Sequence, residues 1–460
     1  FYYLKNLVGL PDKLLVLTEV PLPSHKLENS TIFWFRRDLR LDDNHGLYKA
    51  LKESKSVIPV FIYDSEIIDK IDDSDHRLKH IFNSIEKLNF ELKKQNKKIF
   101  TFKGKPIDIF ESLIKNNKIS KVYYNKDYEP YALKRDISIN NFLKKNSINF
   151  EGFKDQVIFE EDEVTKDDGK PYVVYTPYSR KWLEKFSKEE IKNYNSEDLL
   201  CRMVNIDFFN QNDGFCRDDI KLKFRKSTID PPELRFTEQI INEYNETRNF
   251  PYLEKTSKIG VYLRFGNLSI RKVVKKSDKA VDKTYLKELI WREFFMQILW
   301  HYPTTTKTSF KEKYERLKWR NNMQEFKLWC EGKTGYPIVD AGMNELNSTG
   351  FMHNRVRMIV ASFLCKHLLI DWRLGEKYFS DMLFDYEQSS NVGNWQWVAG
   401  CGVDAAPYFR IFNPYEQQKK FDKFGTYINK WLPNGYKEEP IVDHKFARQR
   451  CLETYKEAVN

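Results

Sequence analysis

The sequence predicts an α/β domain built on a doubly wound, Rossmann-like parallel sheet, followed by a larger all-α domain. Three observations carry this. Early in the chain, short β-branched and apolar runs alternate with amphipathic helical stretches, the pattern of βαβ units around a parallel sheet. From about residue 231 helical periods repeat, and Pro251, Gly266, Pro303, Gly335 and Pro414 fall at the breaks. The 460 residues, 41% hydrophobic and 15% aromatic, suffice for two large cores.

Residues 1–30 form an extension without an assigned role, lacking the charged start and cleavage pattern of a signal peptide. Strand 31–35 (TIFWF) opens a domain spanning 31–151 and runs into Arg36-Arg-Asp-Leu-Arg40, with Asp42, Asp43 and Asn44 ahead of a helix at 46–53. Strands follow at 57–63, 98–102 and 121–125, separated by helices at 77–95, 106–116 and 129–145. Residues 152–230 read as a charge-rich connector containing Tyr175-Thr-Pro-Tyr178. Short helices at 179–194 and a wrap across the first domain would account for a loop otherwise too long for a compact domain. Residues 231–460 make up the helical domain, without internal repeats.

A net charge of +11 and a pI near 9.0 point to a polyanionic partner such as nucleic acid; codon usage rich in Lys and Asn accounts for the excess equally well. Cys201, Cys216, Cys330, Cys365, Cys401 and Cys451 are scattered, with no C-x-x-C pair and no His at ligand spacing. That argues against a zinc site or a disulfide framework and fits a reducing intracellular compartment. No segment has the apolar length of a membrane span.

Chemistry concentrates between residues 334 and 414. Asn391, Gly393, Asn394, Trp395, Gln396 and Trp397 stand beside Asp385 and Glu387, and that mixture suits a large planar ligand with polar edges. Phe351, Val356, Ile359, Val360 and Phe363 recur at helical spacing, but Asn354, Arg355 and Arg357 interrupt the stripe. Upstream, Glu288, Trp291 and Arg292 share one helical turn, which also suits an exposed salt-bridging face. Thr256-Ser-Lys-Ile-Gly260, preceded by Tyr244 and Arg248, offers hydroxyls, backbone N–H groups and a cation at a helix start. Such a place can hold a diphosphate, though a capped helix is the commoner reading.

These motifs, in this order from about residue 31 to the end, resemble the cryptochrome/photolyase family, most closely the class I photolyases that repair cyclobutane pyrimidine dimers. The opening string FWFRRDLRLDDNHGL is similar to that family's first strand and turn. The resemblance implies a noncovalent, reduced FAD in the helical domain, a monomer, and UV-damaged DNA as partner, in the cytoplasm or nucleoid, or in the nucleus of a eukaryote.

Residue by residue, Tyr244, Thr256, Ser257, Lys258, Ile259, Gly260, Tyr285 and Arg292 correspond to the flavin-phosphate side, with Lys258 and Gly260 departing from the usual Arg and Ser. Arg357 and Asp385 correspond to a pair beside the isoalloxazine; Glu387 stands where Asp is more usual. Asn391 corresponds to the position facing flavin N5. An amide there cannot donate a proton as a carboxylic acid does, which favours an anionic reduced flavin. Glu288, Trp291, Asn354, Met358 and Trp397 correspond to the dimer cavity, where a carboxyl can hydrogen-bond pyrimidine edges and an indole can stack on them. Arg248, Arg355, Arg410 and Gln417 are implied DNA contacts, and Lys420 is a DNA contact or part of a charged surface helix. Trp395, Trp372 and Trp319 match a chain of three tryptophans that carries electrons to oxidised flavin.

Two other functions remain in view. A cryptochrome-type blue-light receptor is disfavoured by Asn391, Trp397, the Asn354 and Met358 pair and the lack of a long tail beyond Asn460. A (6-4) photolyase is disfavoured because Asn354 and Met358 stand where those enzymes carry histidines. Folate as an antenna is disfavoured because Thr305 and Thr306 replace a Cys-Lys pair; a deazaflavin, a second flavin or no antenna stay open.

Overall fold

The computed structural model describes residues 30–72, 74–209 and 227–459. The extension before Ser30 and Cys216 lie outside the described residues.

Five strands, β1 (Ser30–Phe35), β2 (Val57–Asp64), β3 (Phe100–Gly104), β4 (Ile119–Asn125) and β5 (Asn149–Phe153), form one parallel sheet in the order β3-β2-β1-β4-β5. Every residue of β1 and β2 is buried, which is why both read as unbroken apolar runs: helices cover both faces. Those helices are α1 (His45–Glu53), α2 (His76–Leu92), α3 (Pro106–Asn116) and α4 (Pro130–Lys145). The Asn44 side chain accepts from the Leu47 N–H and starts α1; a proline in the first turn starts α3 and α4. The predicted fold class holds, with β3 two residues later than expected. Strand β5 leaves no signature in the sequence, because Asn149, Glu151 and Gly152 are poor strand formers and the strand is half exposed at the sheet edge. Backbone pairing with β4 makes it a strand.

The connector helix, α5 (Tyr175–Lys188), starts before the expected residue 179 and stops short of 194. It is pinned to the helical domain from below. Glu293, 3% exposed, accepts from the backbone N–H groups of Ile158 (2.7 Å) and Phe159 (2.9 Å) and from Trp182 Nε1 (2.6 Å). Burial pushes its carboxyl up to about 7 against the pull of these donors.

The helices that matter below are α6 (Thr284–His301), α7 (Pro337–Thr349), α8 (Asn354–Ser362), α9 (Trp372–Met382), α10 (Gln388–Ala399), α11 (Pro414–Phe421) and α12 (His444–Val459). Helix α6 is buried on several sides: Leu286, Ile290 and Phe294 have no exposed surface, so its sequence shows little amphipathic contrast. A second core gathers Trp329, Val339, Val356, Leu364 and Trp372. At its rim the π-helical turn Phe363–His367 carries Lys366, 1% exposed, whose Nζ donates to the carbonyls of Ala399 (3.0 Å) and Tyr408 (3.4 Å) and lies 3.7 Å from the Tyr455 ring centroid. Burial pushes the Lys366 ammonium down to about 8. No helix among the described residues is long and apolar enough to cross a membrane.

Candidate functional site

Three helices of the second domain enclose a cavity of about 380 Å³. Helix α6 contributes Glu288, Trp291 and Arg292, and α8 contributes Asn354, Arg357 and Met358; each set repeats the i, i+3, i+4 spacing that places side chains on one helical face. Helix α10 supplies Asn391, Trp395 and Trp397, and the turn before it supplies Asp385 and Glu387. His353 fixes the start of α8: its Nδ1 accepts from the Arg355 N–H (3.2 Å), and burial with the nearby Arg357 and Arg355 pushes its pKa down to about 3, keeping the ring neutral.

One side of the cavity is ionic. Arg357 Nη2 lies 3.0 Å from Asp385 Oδ2, and Arg357 Nε donates to the Met352 carbonyl (2.7 Å). Asp385 Oδ1 is buried with no partner, an acceptor suited to a ring N–H of a ligand. Gly260 backs onto this carboxylate: a Cβ there would come 2.8 Å from Asp385 Oδ2, which gives a physical reason for glycine at this place. Asn391 Nδ2 donates to Glu376 Oε1 (2.9 Å) and to the Glu376 carbonyl (3.1 Å). Trp291 and Trp397 add indole rings to the lining, and Met358 an apolar thioether. There Glu288 pairs with Arg248, and Tyr175 of α5 stacks on Trp291, ring centroids 3.6 Å apart.

Several expected site residues stand outside this cavity. Thr256 and Lys258 line a neighbouring cavity of about 320 Å³ together with Phe351 and His353. Ser257 and Tyr285 are buried, with Tyr244 half-buried beside them: Ser257 Oγ is 2.7 Å from Tyr285 OH, and the two tyrosine rings are 4.9 Å apart. Ile259 precedes the short helix Gly260–Arg264 and packs against the core around α6. Trp395 lines the cavity at 2% exposure; Trp372, at the start of α9, is buried in the same core, and Trp319 is half-buried, 6.2 Å from the Tyr455 ring. Helix α9 passes so near Trp395 that a Cβ on Gly375 would lie 2.2 Å from its Cη2.

At the mouth, Arg410 is exposed with its guanidinium 6.0 Å from the Trp397 ring centroid, while Gln417 and Lys420 lie on α11. Arg355 is turned inward, donating to Asn249 Oδ1 (2.5 Å) and lying 4.4 Å from the Phe421 ring centroid. Sequence reasoning missed the placement of Tyr175 and Glu376 and the grouping of Arg37 and Arg264 with the expected Arg292 around Glu387. Only RRDLR, read as a structural signature, hinted at the last.

That set joins the two domains. Glu387 Oε2 lies 2.5 Å from Arg37 Nη2 and 3.8 Å from Arg292 Nη2, and Glu387 Oε1 lies 3.3 Å from Arg264 Nη1. Arg37 also meets Asp127 (3.0 Å) and Glu129 (3.3 Å), and Arg264 meets Glu129 (2.5 Å). Burial acts to raise the Glu387 carboxyl, yet Arg37, Arg264 and Arg292 hold it below the usual carboxylate range.

Comparison with known proteins agrees with this architecture. A family profile described as DNA photolyase matches residues 31–195, and one described as FAD binding domain of DNA photolyase matches 285–437. The deoxyribodipyrimidine photo-lyase of Alkalihalophilus pseudofirmus is 34% identical over 470 residues, covering 92% of this chain and 97% of that protein. A bacterial class III photolyase from Agrobacterium tumefaciens superposes with a TM-score of 0.83 at 32% identity, covering 95% of this chain and 98% of the other. A cryptochrome from Synechocystis superposes with a TM-score of 0.82 at 25% identity, covering 94% and 100%.

Proposed function

The chain belongs to the DNA photolyase family, and from that premise we propose that it is a deoxyribodipyrimidine photo-lyase, a light-driven enzyme that splits cyclobutane pyrimidine dimers in UV-damaged DNA with FAD as cofactor. The observation that carries this reading is that one cavity holds both halves of the required chemistry: the Arg357–Asp385 pair with Asn391, and Trp291, Met358 and Trp397.

The residues present fit the flavin. Arg357 and Asp385 would hold the isoalloxazine edge, where the free Asp385 Oδ1 accepts a ring N–H and the Arg357 charge balances a reduced, anionic ring. When bound, reduced FAD supplies the electron that light delivers to the dimer and that returns after the ring opens. The protein's part is to bind, orient and shield.

Photolyases reach their lesion by flipping it out of the duplex. Here the flipped dimer would enter between Trp291 and Trp397, each stacking surface contributing about 1–3 kcal/mol per base. Glu288 would hydrogen-bond the pyrimidine edge once Arg248 turns to the DNA backbone, so the present Glu288–Arg248 pair keeps both charges satisfied before DNA arrives. Asn354 would read the lesion beside Met358, while Arg410 and Gln417 would meet the strand, joined by Arg355 once it leaves Asn249. Trp395 and Trp372, buried in one core, and Trp319, half-buried against it, would return the flavin to its reduced state.

The deciding experiment incubates photoreduced protein with a single-stranded oligonucleotide bearing one cis-syn thymine dimer and follows thymine absorbance under blue light. Recovery in light and none in the dark is expected; no recovery with reduced flavin bound would defeat the proposal.

A further inference from the structure

Glu387 lines the cavity, but its carboxylate is already engaged. Both oxygens face arginines, two of them from the helical domain (Arg264 and Arg292) and one from the α/β domain (Arg37). The second carboxylate of the set, Glu129, reaches across in the other direction: it pairs with Arg264 and accepts weakly from the Gln388 N–H (3.4 Å), the first residue of α10. Arg37 Nε donates to the Arg264 carbonyl (3.2 Å), and Arg292 Nη1 donates to the Gln156 carbonyl (2.7 Å). Arg37, Arg264 and Arg292 thus face Asp127, Glu129 and Glu387, equal numbers of opposite charge, with side-chain exposures of 9–18%.

The location within the sheet is informative. Arg37 follows β1, and Asp127 and Glu129 follow β4, so all three stand at the carboxyl ends of the two strands where the sheet order reverses. Open α/β sheets bind ligands at that switch point. In this chain it receives the start of a helix from the other domain. Glu387 immediately precedes that helix as its N-cap, its carbonyl accepting from the Asn391 N–H (2.8 Å), and the helix carries Asn391, Trp395 and Trp397. Any shift of the charge set would be carried directly into three cavity side chains.

We propose that Glu387 is a positioning residue, the helical domain's half of an ionic latch with Arg37 that seats α10 on the α/β domain and so sets Asn391, Trp395 and Trp397 against the flavin. The proposal rests on the flavin reading of the cavity. It assigns Glu387 to the arginines rather than to the cofactor, and it makes Arg37, which does not line the cavity, a determinant of cofactor binding.

The test is a double-mutant cycle on the full chain with Arg37→Gln, Glu387→Gln and the double variant, read by FAD titration, by thermal melting of the FAD-free protein and by the rate of blue-light reduction at saturating FAD. A latch predicts that each single change raises the FAD Kd about tenfold and lowers the melting temperature, with the double variant no worse than either single, because the two residues act as one unit. It further predicts that R37Q slows light-driven flavin reduction at least threefold even when saturated, since Trp395 has moved; loss of stability alone would leave that rate unchanged. Removing one partner of a buried pair is strongly destabilising, so Arg37→Lys, which keeps the charge and loses the fork, serves if R37Q does not fold, with the same effects in smaller measure. Wild-type FAD affinity and reduction rate in R37Q or R37K, or a double-variant loss equal to the product of the single losses, would overturn the latch. Wild-type protein that binds no FAD would instead overturn the flavin reading, so the two failures are distinct.

Discussion

Tyr175 lies flat on Trp291, the ring planes 6° from parallel, and its hydroxyl donates to the Lys287 carbonyl one turn earlier on α6 (2.8 Å). The connector thus supports a wall of the cavity from behind. Tyr175→Ala should weaken binding of a dimer-bearing oligonucleotide about 3–10-fold, in line with ~0.5–1.5 kcal/mol for an aromatic pair, with an unchanged turnover rate at saturating DNA. Tyr175→Phe keeps the stack and should bind within about twofold of wild type; fluorescence anisotropy and repair kinetics separate the two parameters.

Trp397 lines the cavity and is half-buried against the second core. Its replacement by Ala should lower affinity for dimer-bearing DNA by about 5–150-fold, the equivalent of ~1–3 kcal/mol, and leave affinity for undamaged DNA unaltered. Competition binding with matched damaged and undamaged oligonucleotides reads this ratio.

Asp385→Asn leaves Arg357, with 24% of its side chain exposed, facing a neutral amide. Hydrogen bonds to charged groups contribute about 1.5–3 kcal/mol, so the FAD Kd should rise at least tenfold, measured by quenching of flavin fluorescence.

Trp395→Phe should abolish blue-light reduction of the oxidised flavin, while protein reduced chemically beforehand repairs dimers at the wild-type rate. Equal loss in both assays would mean that Trp395 shapes the cavity instead of carrying charge.

Lys366 gives a pH dependence of definite sign. Its ammonium is held at about 8 in the folded protein, against an ordinary value near 10.5. Between those values the unfolded chain binds a proton that the folded chain does not, so stability contributed by this group rises with pH across the window; below pH 8 both states are protonated and burial of the charge is fully unfavourable. Wild type minus Lys366→Met should therefore show a urea midpoint that climbs from pH 8 to 10, whereas a flat difference would contradict the shift.

Much of this was legible in the sequence where a local period exposed it. The i, i+3, i+4 sets on α6 and α8 could be read as shared faces, and the dense run from Asn391 to Trp397 marked the third wall. The α/β order was readable because β1 and β2 are buried on both sides. Strand β5 was not, since pairing with β4 and not its own composition makes it a strand. Nor was the stack of Tyr175 on Trp291 or the meeting of Arg37 and Glu387, 350 residues apart, because contacts between distant segments leave no period to detect. The position of Thr256 and Lys258 beside a second cavity was hidden for a related reason: a motif fixes residue types, and the turn that follows decides which way they point.

Glu293 gathers the backbone of Ile158 and Phe159 and the indole of Trp182 onto the helix that also carries the dimer-facing residues. Its consequence is cooperativity of folding. A carboxylate with three donors from the connector cannot release that segment without leaving a buried acceptor and buried donors unmatched, a cost of about 1–3 kcal/mol for each group. The α/β sheet, the connector and the flavin-side helices are therefore expected to melt in a single transition, and the helical part expressed alone should lack a folded α6.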